Sequence, residues 1–129
     1  MSRTLYIFTA IFLGFSVYAV SDVHAEPVPV STCSEAHVFV KVDSRKPNGK
    51  AWDYKGGAPD IAISLNGRWA SVCRDSYTCE RDIHVTSADV RVVIFDQDIH
   101  EHDEIAVGNA KIPSERRIGA AFVKLICNR

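Results

Sequence analysis

The sequence predicts an all-β fold, an antiparallel β-sandwich of about seven or eight strands. Short stretches of alternating apolar residues recur every eight to twelve residues after His37, which is the spacing of a sandwich rather than of strands separated by helices. Gly, Pro, Asn and Asp cluster between these stretches, with Asn66-Gly67 the clearest case. No stretch repeats its apolar residues at the helical period, so no helix is expected.

The sandwich does not begin at residue 1. Arg3 gives a small positive start, Leu5 to Val20 is almost wholly apolar, and Val23-His24-Ala25 places small residues where a signal peptidase needs them. Residues 1–25 therefore read as a signal peptide. Their sixteen or so apolar residues fall short of the ~20 that span a bilayer. Residues 26–36 carry Pro27 and Pro29 and read as an N-terminal arm, and 37–129 as the domain. A secreted or periplasmic destination follows.

His37 to Val42 alternates Val38, Val40 and Val42 against Phe39 and Lys41 and forms the first strand. The loop from Asp43 to Pro59 is long for a compact domain, and such loops are functional or unstructured. Asp60 to Leu65 sets Ile61, Ile63 and Leu65 on one face. Asn66-Gly67 then turns the chain through a type I′ hairpin, in which both central residues need positive φ. Arg68 to Val72 is the expected partner strand, Arg74 to Glu80 a polar loop, and Asp82 to Val85 a short strand. Val90 to Phe95 alternates cleanly, Ile105 to Ile112 follows, Ser114 to Gly119 reads as a charged turn, and Ala121 to Cys127 closes the domain.

Composition narrows the function. The 129 residues are 47% hydrophobic and 24% charged, with a formal net charge of −1. The Lys/Arg excess that phosphate backbones require is missing, so no nucleic acid is expected. Cys33, Cys73, Cys79 and Cys127 form an even set in an exported chain, which implies two disulfides. Three pairings are possible. Cys73–Cys79 joins near neighbours across a turn and leaves Cys33–Cys127 to tie the chain ends. No nucleophile motif is present, so the chain is not expected to be an enzyme, and a monomer is expected.

The chemistry lies in acids. Asp96, Asp98, Glu101, Asp103 and Glu104 fall within nine residues after the Val90–Phe95 strand. Carboxylates a few ångströms apart repel and raise each other's pKa, which a hard cation relieves. Asp-x-Asp on a loop suits Ca²⁺, which accepts six to eight oxygens in loose geometry. Read by itself, the stretch is equally a solvated acidic loop. The long early loop adds Asp53 and Asp60, with glycines and Pro59 between them.

The conjunction of Trp52-Asp53, Ala58-Pro59-Asp60-Ile61, Phe95-Asp96-Gln97-Asp98 and Asp103-Glu104-Ile105 to Gly108 resembles a C2 domain, in the form of a small secreted bacterial-type single-domain member. C2 domains are the β-sandwich modules of calcium-dependent lipid-binding proteins. The resemblance covers roughly Val38 to Ile112. It implies Asp53, Asp60, Asp96, Asp98 and Asp103 as calcium ligands, with Glu104 as the competing last acid. It also implies a phospholipid membrane surface, or another acidic ligand, as the partner that Ca²⁺ bridges to.

This sequence departs from the C2 pattern where Pro59 precedes Asp60 and where Ile61-Ala62 follows it. The loop tips, Tyr54-Lys55-Gly56-Gly57 and Ile99-His100-Glu101-His102, offer neither a large apolar prong nor a basic cluster. Calcium binding is thus the better inherited expectation and membrane binding the poorer. Two other readings compete. One is a transition-metal site on His100-x-His102 with Asp98 and Asp103, which lacks a further ligand nearby in sequence. The other is a metal-free structural or protein-interaction sandwich whose acids only solubilise it.

Overall fold

The computed structural model describes residues 33–128. The expected leader, and the arm up to residue 32, lie outside these. Among the described residues there is no helix. There are eight strands: β1 Glu35–Val42, β2 Ile61–Leu65, β3 Arg68–Trp69, β4 Thr78–His84, β5 Asp89–Gln97, β6 His102–Lys111, β7 Ser114–Ile118 and β8 Ala121–Cys127. They form two four-stranded antiparallel sheets, ordered β4-β1-β8-β7 and β3-β2-β5-β6.

The core lies between the sheets and is built by strand alternation. Val38, Val40 and Val42 of β1, Val123 and Leu125 of β8, Ile61, Ile63 and Leu65 of β2, and Val90, Val92 and Ile94 of β5 are all buried. Each set sits two residues apart, so every second side chain meets the opposing sheet. β2 is buried on both faces, because on its outer side Trp69 of β3 and Phe95 of β5 lie against it with their rings stacked at 6.0 Å. Trp69 itself remains 54% exposed. The Asn66-Gly67 turn has φ of 50° and 81°, as a type I′ hairpin needs.

Several boundaries differ from the sequence reading, and the differences share a cause. Residues 114–118 form the strand β7 instead of a turn, and β4 starts at Thr78, inside the expected polar loop. Both are edge strands, β7 with four of its five residues polar and β4 with only Cys79 and Ile83 buried. Charged edges discourage pairing with other chains, and they erase the apolar alternation that marks a strand. β3 stops at Trp69 rather than at Val72, after which the chain is tied to β2 by Ala70 N–H, which donates to Ile63 O at 2.9 Å, and by an isolated bridge between Ile61 and Cys73. β6 begins at His102, so Asp103 and Glu104 belong to a strand and not to a loop.

Two disulfides join Cys33 to Cys127 and Cys73 to Cys79. The first links residues 94 apart, pinning the start of β1 to the end of β8. On the chain-entropy account, closing a loop of that size contributes about 4–5 kcal/mol, which is large beside the modest core of so short a chain. The second closes only a six-residue separation, and its effect is local. It holds the 74–78 segment beside Pro59 and Asp60, where Ser76 N–H donates to Pro59 O at 3.0 Å.

Candidate metal centre

The site is formed where β5 runs into its loop and β6 returns from it. Asp96 continues the inward phase of Val90, Val92 and Ile94, so the same alternation that builds the core carries a carboxylate into it. Asp96 is 1% exposed. Its Oδ1 accepts the backbone N–H of Asp60 at 2.8 Å, whereas its Oδ2 is buried without a hydrogen-bond partner. An unpaired buried carboxylate oxygen is expensive, on the order of 1–3 kcal/mol or more.

Directly opposite Asp96 on β6 stands Asp103. A β-bulge brings it there. The register runs from Ile94↔Ala106 to Phe95↔Glu104, leaving Ile105 as the extra residue, with Ile105 and Ala106 both buried. A bulge lets two consecutive side chains face one way and shifts the phase of everything beyond it. Without it, Glu104 would occupy the inward position. With it, Glu104 pairs with Phe95 and is exposed, and Asp103 faces Asp96.

Asp98, two residues beyond Asp96, completes the group. Asp96, Asp98 and Asp103 each place a carboxylate oxygen within 4.8 Å of the other two. Burial raises the Asp96 pKa most, followed by the charges of Asp98 and Asp103, while the Asp60 N–H and Lys46 act the other way. The result is a carboxyl pushed up to about 6.

The remaining expected ligands are nearby but turned elsewhere. Asp60 sits beside Asp96 through its backbone, with Gln97 N–H donating to Asp60 O at 2.8 Å. Its carboxylate faces the 74–76 segment, accepting from Asp75 N at 2.7 Å and from Arg74 Nη1 at 3.3 Å. Asp53 lies across a cavity of about 380 Å³ that it lines together with Asp98, Glu101 and Asp103. Its Oδ2 packs against Gly57, as does Oδ1 of Asp75; a Cβ at Gly57 would meet them at 3.1 and 3.4 Å. Asp53 and Asp75 thus both approach Gly57, and Asp75 is tied to Asp60 through its backbone N–H. Asp75 went unread in the sequence because it stands within a polar, disulfide-closed segment far from the other acids.

Lys46 was likewise missed. Its ammonium pairs with Asp103 and lies 5.8 Å from the centroid of the Trp52 ring. Trp52 is buried and anchored by its Nε1–H to Asp43 O at 2.7 Å. The hydrogen bond with Asp103 raises the Lys46 pKa most, against the opposing effect of burial, and the charges of Asp103, Asp96 and Asp98 add to the rise. No sequence signal pairs residue 46 with residue 103; only the fold does.

The loop tips are also not as bare as their sequences suggest. Tyr54 and Ile99 are almost wholly solvent-exposed, one on each of the two loops that flank the acids. His100 and His102 take no part in the close carboxylate group. Among the described residues no group of metal-ligating side chains this close includes a histidine, so the His100-x-His102 reading gains no support.

The three carboxylates fit a hard, oxygen-seeking cation. They supply anionic oxygens only, one of them buried and otherwise unsatisfied, beside a cavity with room for further ligands.

Comparison with known proteins gives little beyond this. No family model matches the chain, and no curated protein matches it. A solved structure described as a pair of C2 domains, the A and B domains of extended-synaptotagmin 2, is similar to it at 10% identity, with a TM-score of 0.43, over 97% of this chain and 48% of that one. The chain spans about half the length of that structure, and neither a ligand nor an activity is carried over from it.

Proposed function

We propose that this chain is an exported, non-enzymatic C2-like module that binds Ca²⁺ through Asp96, Asp98 and Asp103. The observation that carries this reading is the Asp96 carboxylate: buried, facing Asp103 across the ladder, with one oxygen that no protein donor satisfies. A sequence selected only for stability has no reason to keep it. The two disulfides suit an oxidising compartment, which supports export. Asp53, across the cavity, and Asp60, beside Asp96, are the acids best placed to join a larger coordination shell after side-chain rotation. Bound calcium would neutralise the cluster and offer open positions to the phosphate oxygens of a lipid surface. Tyr54 and Ile99, both exposed, are the groups that would meet the acyl boundary.

The metal-free structural sandwich is the second reading, and Lys46 is the observation that favours it, since an ammonium already answers part of the negative charge. Melting the protein with Ca²⁺, Mg²⁺, Zn²⁺ or chelator separates the two. Calcium at a hundredfold excess over Kd should stabilise the fold by about 2.7 kcal/mol. For a domain of this size that is a rise in midpoint of roughly ten degrees or more. An unchanged midpoint in all four conditions sinks the calcium reading. For the lipid contact, anionic vesicles should sediment the protein with Ca²⁺ and not with chelator, and Tyr54→Ala with Ile99→Ala should weaken the effect.

A further inference from the structure

Lys46 is held in an unusual way for a loop lysine. Residues 46–50 close a tight reversal, with Lys46 N–H donating to Lys50 O and Gly49 N–H to Lys46 O, both at 2.9 Å. Around it Arg45, Pro47, Asn48, Gly49 and Lys50 are all exposed. The Lys46 side chain alone turns inward, 20% exposed, across the buried Trp52 ring to Asp103. Ordering and burying a lysine costs side-chain entropy, besides desolvation. What offsets that cost is the group it reaches: three carboxylates within 4.8 Å of one another, one of them buried with an unpartnered oxygen. Lys50 lines the same cavity and makes no ion pair among the described residues, so proximity to the acids is not enough to capture a lysine.

We propose that Lys46 is a tethered competitor cation: its ammonium stands in for the metal at Asp103 and must leave when a divalent cation binds, which sets the affinity of the site. This rests on the calcium reading above. A monovalent charge carried on the chain cannot be diluted, so it competes at fixed strength. It keeps the fold together at low calcium and restricts occupancy to calcium-rich surroundings, which is where extracellular modules with Kd near ~10⁻⁴–10⁻³ M operate. Displacement swings the ammonium past Trp52 into solvent, and that movement reports binding.

The test compares the wild-type protein with Lys46→Met, which keeps an unbranched apolar stem on Trp52, and with Lys50→Met as a control. Lys46→Met should melt lower than wild type without metal and bind Ca²⁺ about tenfold or more tightly by calorimetry, while Lys50→Met should change neither by much. A wild type that does not respond to Ca²⁺, beside a Lys46→Met protein that does, overturns the calcium reading of the native chain and the displacement with it, leaving Lys46 as the permanent cation of the site. Equal or weaker calcium binding by Lys46→Met, with the wild type responding, overturns the inference and leaves the calcium reading intact. No response from either protein overturns both. Should Lys46→Met fail to fold, amine acetylation of the wild type mapped by mass spectrometry gives the answer. Lys46 should be protected with chelator and modified faster with Ca²⁺, and equal rates overturn the proposal.

Discussion

The two ends of the β5–β6 ladder are built on opposite rules. At one end Asp89 stands opposite Lys111 and Arg91 opposite Asn109, all exposed, beside an open cavity that Arg116 also lines. At the other end Asp96 stands opposite Asp103, with Asp98 just beyond. Opposite charges across a strand pair contribute roughly 0.2–1 kcal/mol, and like charges cost a similar amount. The first end is what selection for stability produces. The second keeps a repulsion and adds burial to it, in a strand whose other inward residues are Val90, Val92 and Ile94. Sites that break the local rules of a fold are where its function is to be sought.

Replacing Asp96 should break that contrast most strongly. With its pKa pushed up to about 6, the ionised Asp96 carboxyl destabilises the metal-free fold at neutral pH by about 2–3 kcal/mol. Asp96→Asn keeps an oxygen for the Asp60 N–H and gives Asp98 or Asp103 a donor. Without metal it should melt about ten degrees higher than wild type near neutral pH, by calorimetry, and should lose its calcium response. A lower midpoint would mean that the carboxylate is satisfied in a way not apparent from its partners.

The pH dependence sharpens the same point. Because the folded pKa lies above the unfolded value of 3.8, the contribution of Asp96 to stability is fully present below about pH 4 and is lost as pH rises through 6. The difference in midpoint between Asp96→Asn and wild type should therefore be small near pH 4, grow as pH rises to about 6, and level off above that. Calcium acts in the opposite sense, requiring the ionised form, so its stabilising effect should fade below about pH 6. A difference independent of pH would remove the electrostatic explanation.

Asp98→Asn should have a smaller effect on the metal-free protein, a rise of a few degrees at most, since Asp98 ends no buried run of side chains. It should still abolish the calcium-dependent shift in melting. The smallest effect belongs to the other end of the ladder. Lys111→Glu places two acids opposite each other there, as Asp96 and Asp103 are, but in solvent. It should cost on the order of 0.2–1 kcal/mol by urea titration and leave the calcium response unchanged. A calcium response altered by Lys111→Glu would show that the two ends are coupled and that the contrast is not local.

How much of this was legible beforehand depended on whether the information was local. Strands β1, β2, β5 and β8 could be read directly, because each buries a run of alternate residues and the sequence shows the period. Arg68-Trp69 after Asn66-Gly67 was legible as a hairpin from the turn residues alone, since both strand residues are exposed. β7, and the first half of β4, carry charges facing water and no period to read. The acids themselves were legible as a set, but their sorting was not. Asp103 rather than Glu104 faces Asp96 because of one inserted residue at Ile105, and a bulge leaves no mark on composition.

By itself the sequence determined the class of fold, the expectation of two disulfides and the stretch where the charge chemistry lies. Those follow from periods of two, from cysteine count and from charge density, all properties of neighbours along the chain. Only the tertiary structure decided that Asp60 turns to Asp75 and Arg74, that Asp53 faces Gly57, and that Lys46 reaches Asp103 across 57 positions of sequence. Such contacts depend on loop paths fixed by the packing of both sheets and by the Cys73–Cys79 link, and no pattern within any one segment encodes them.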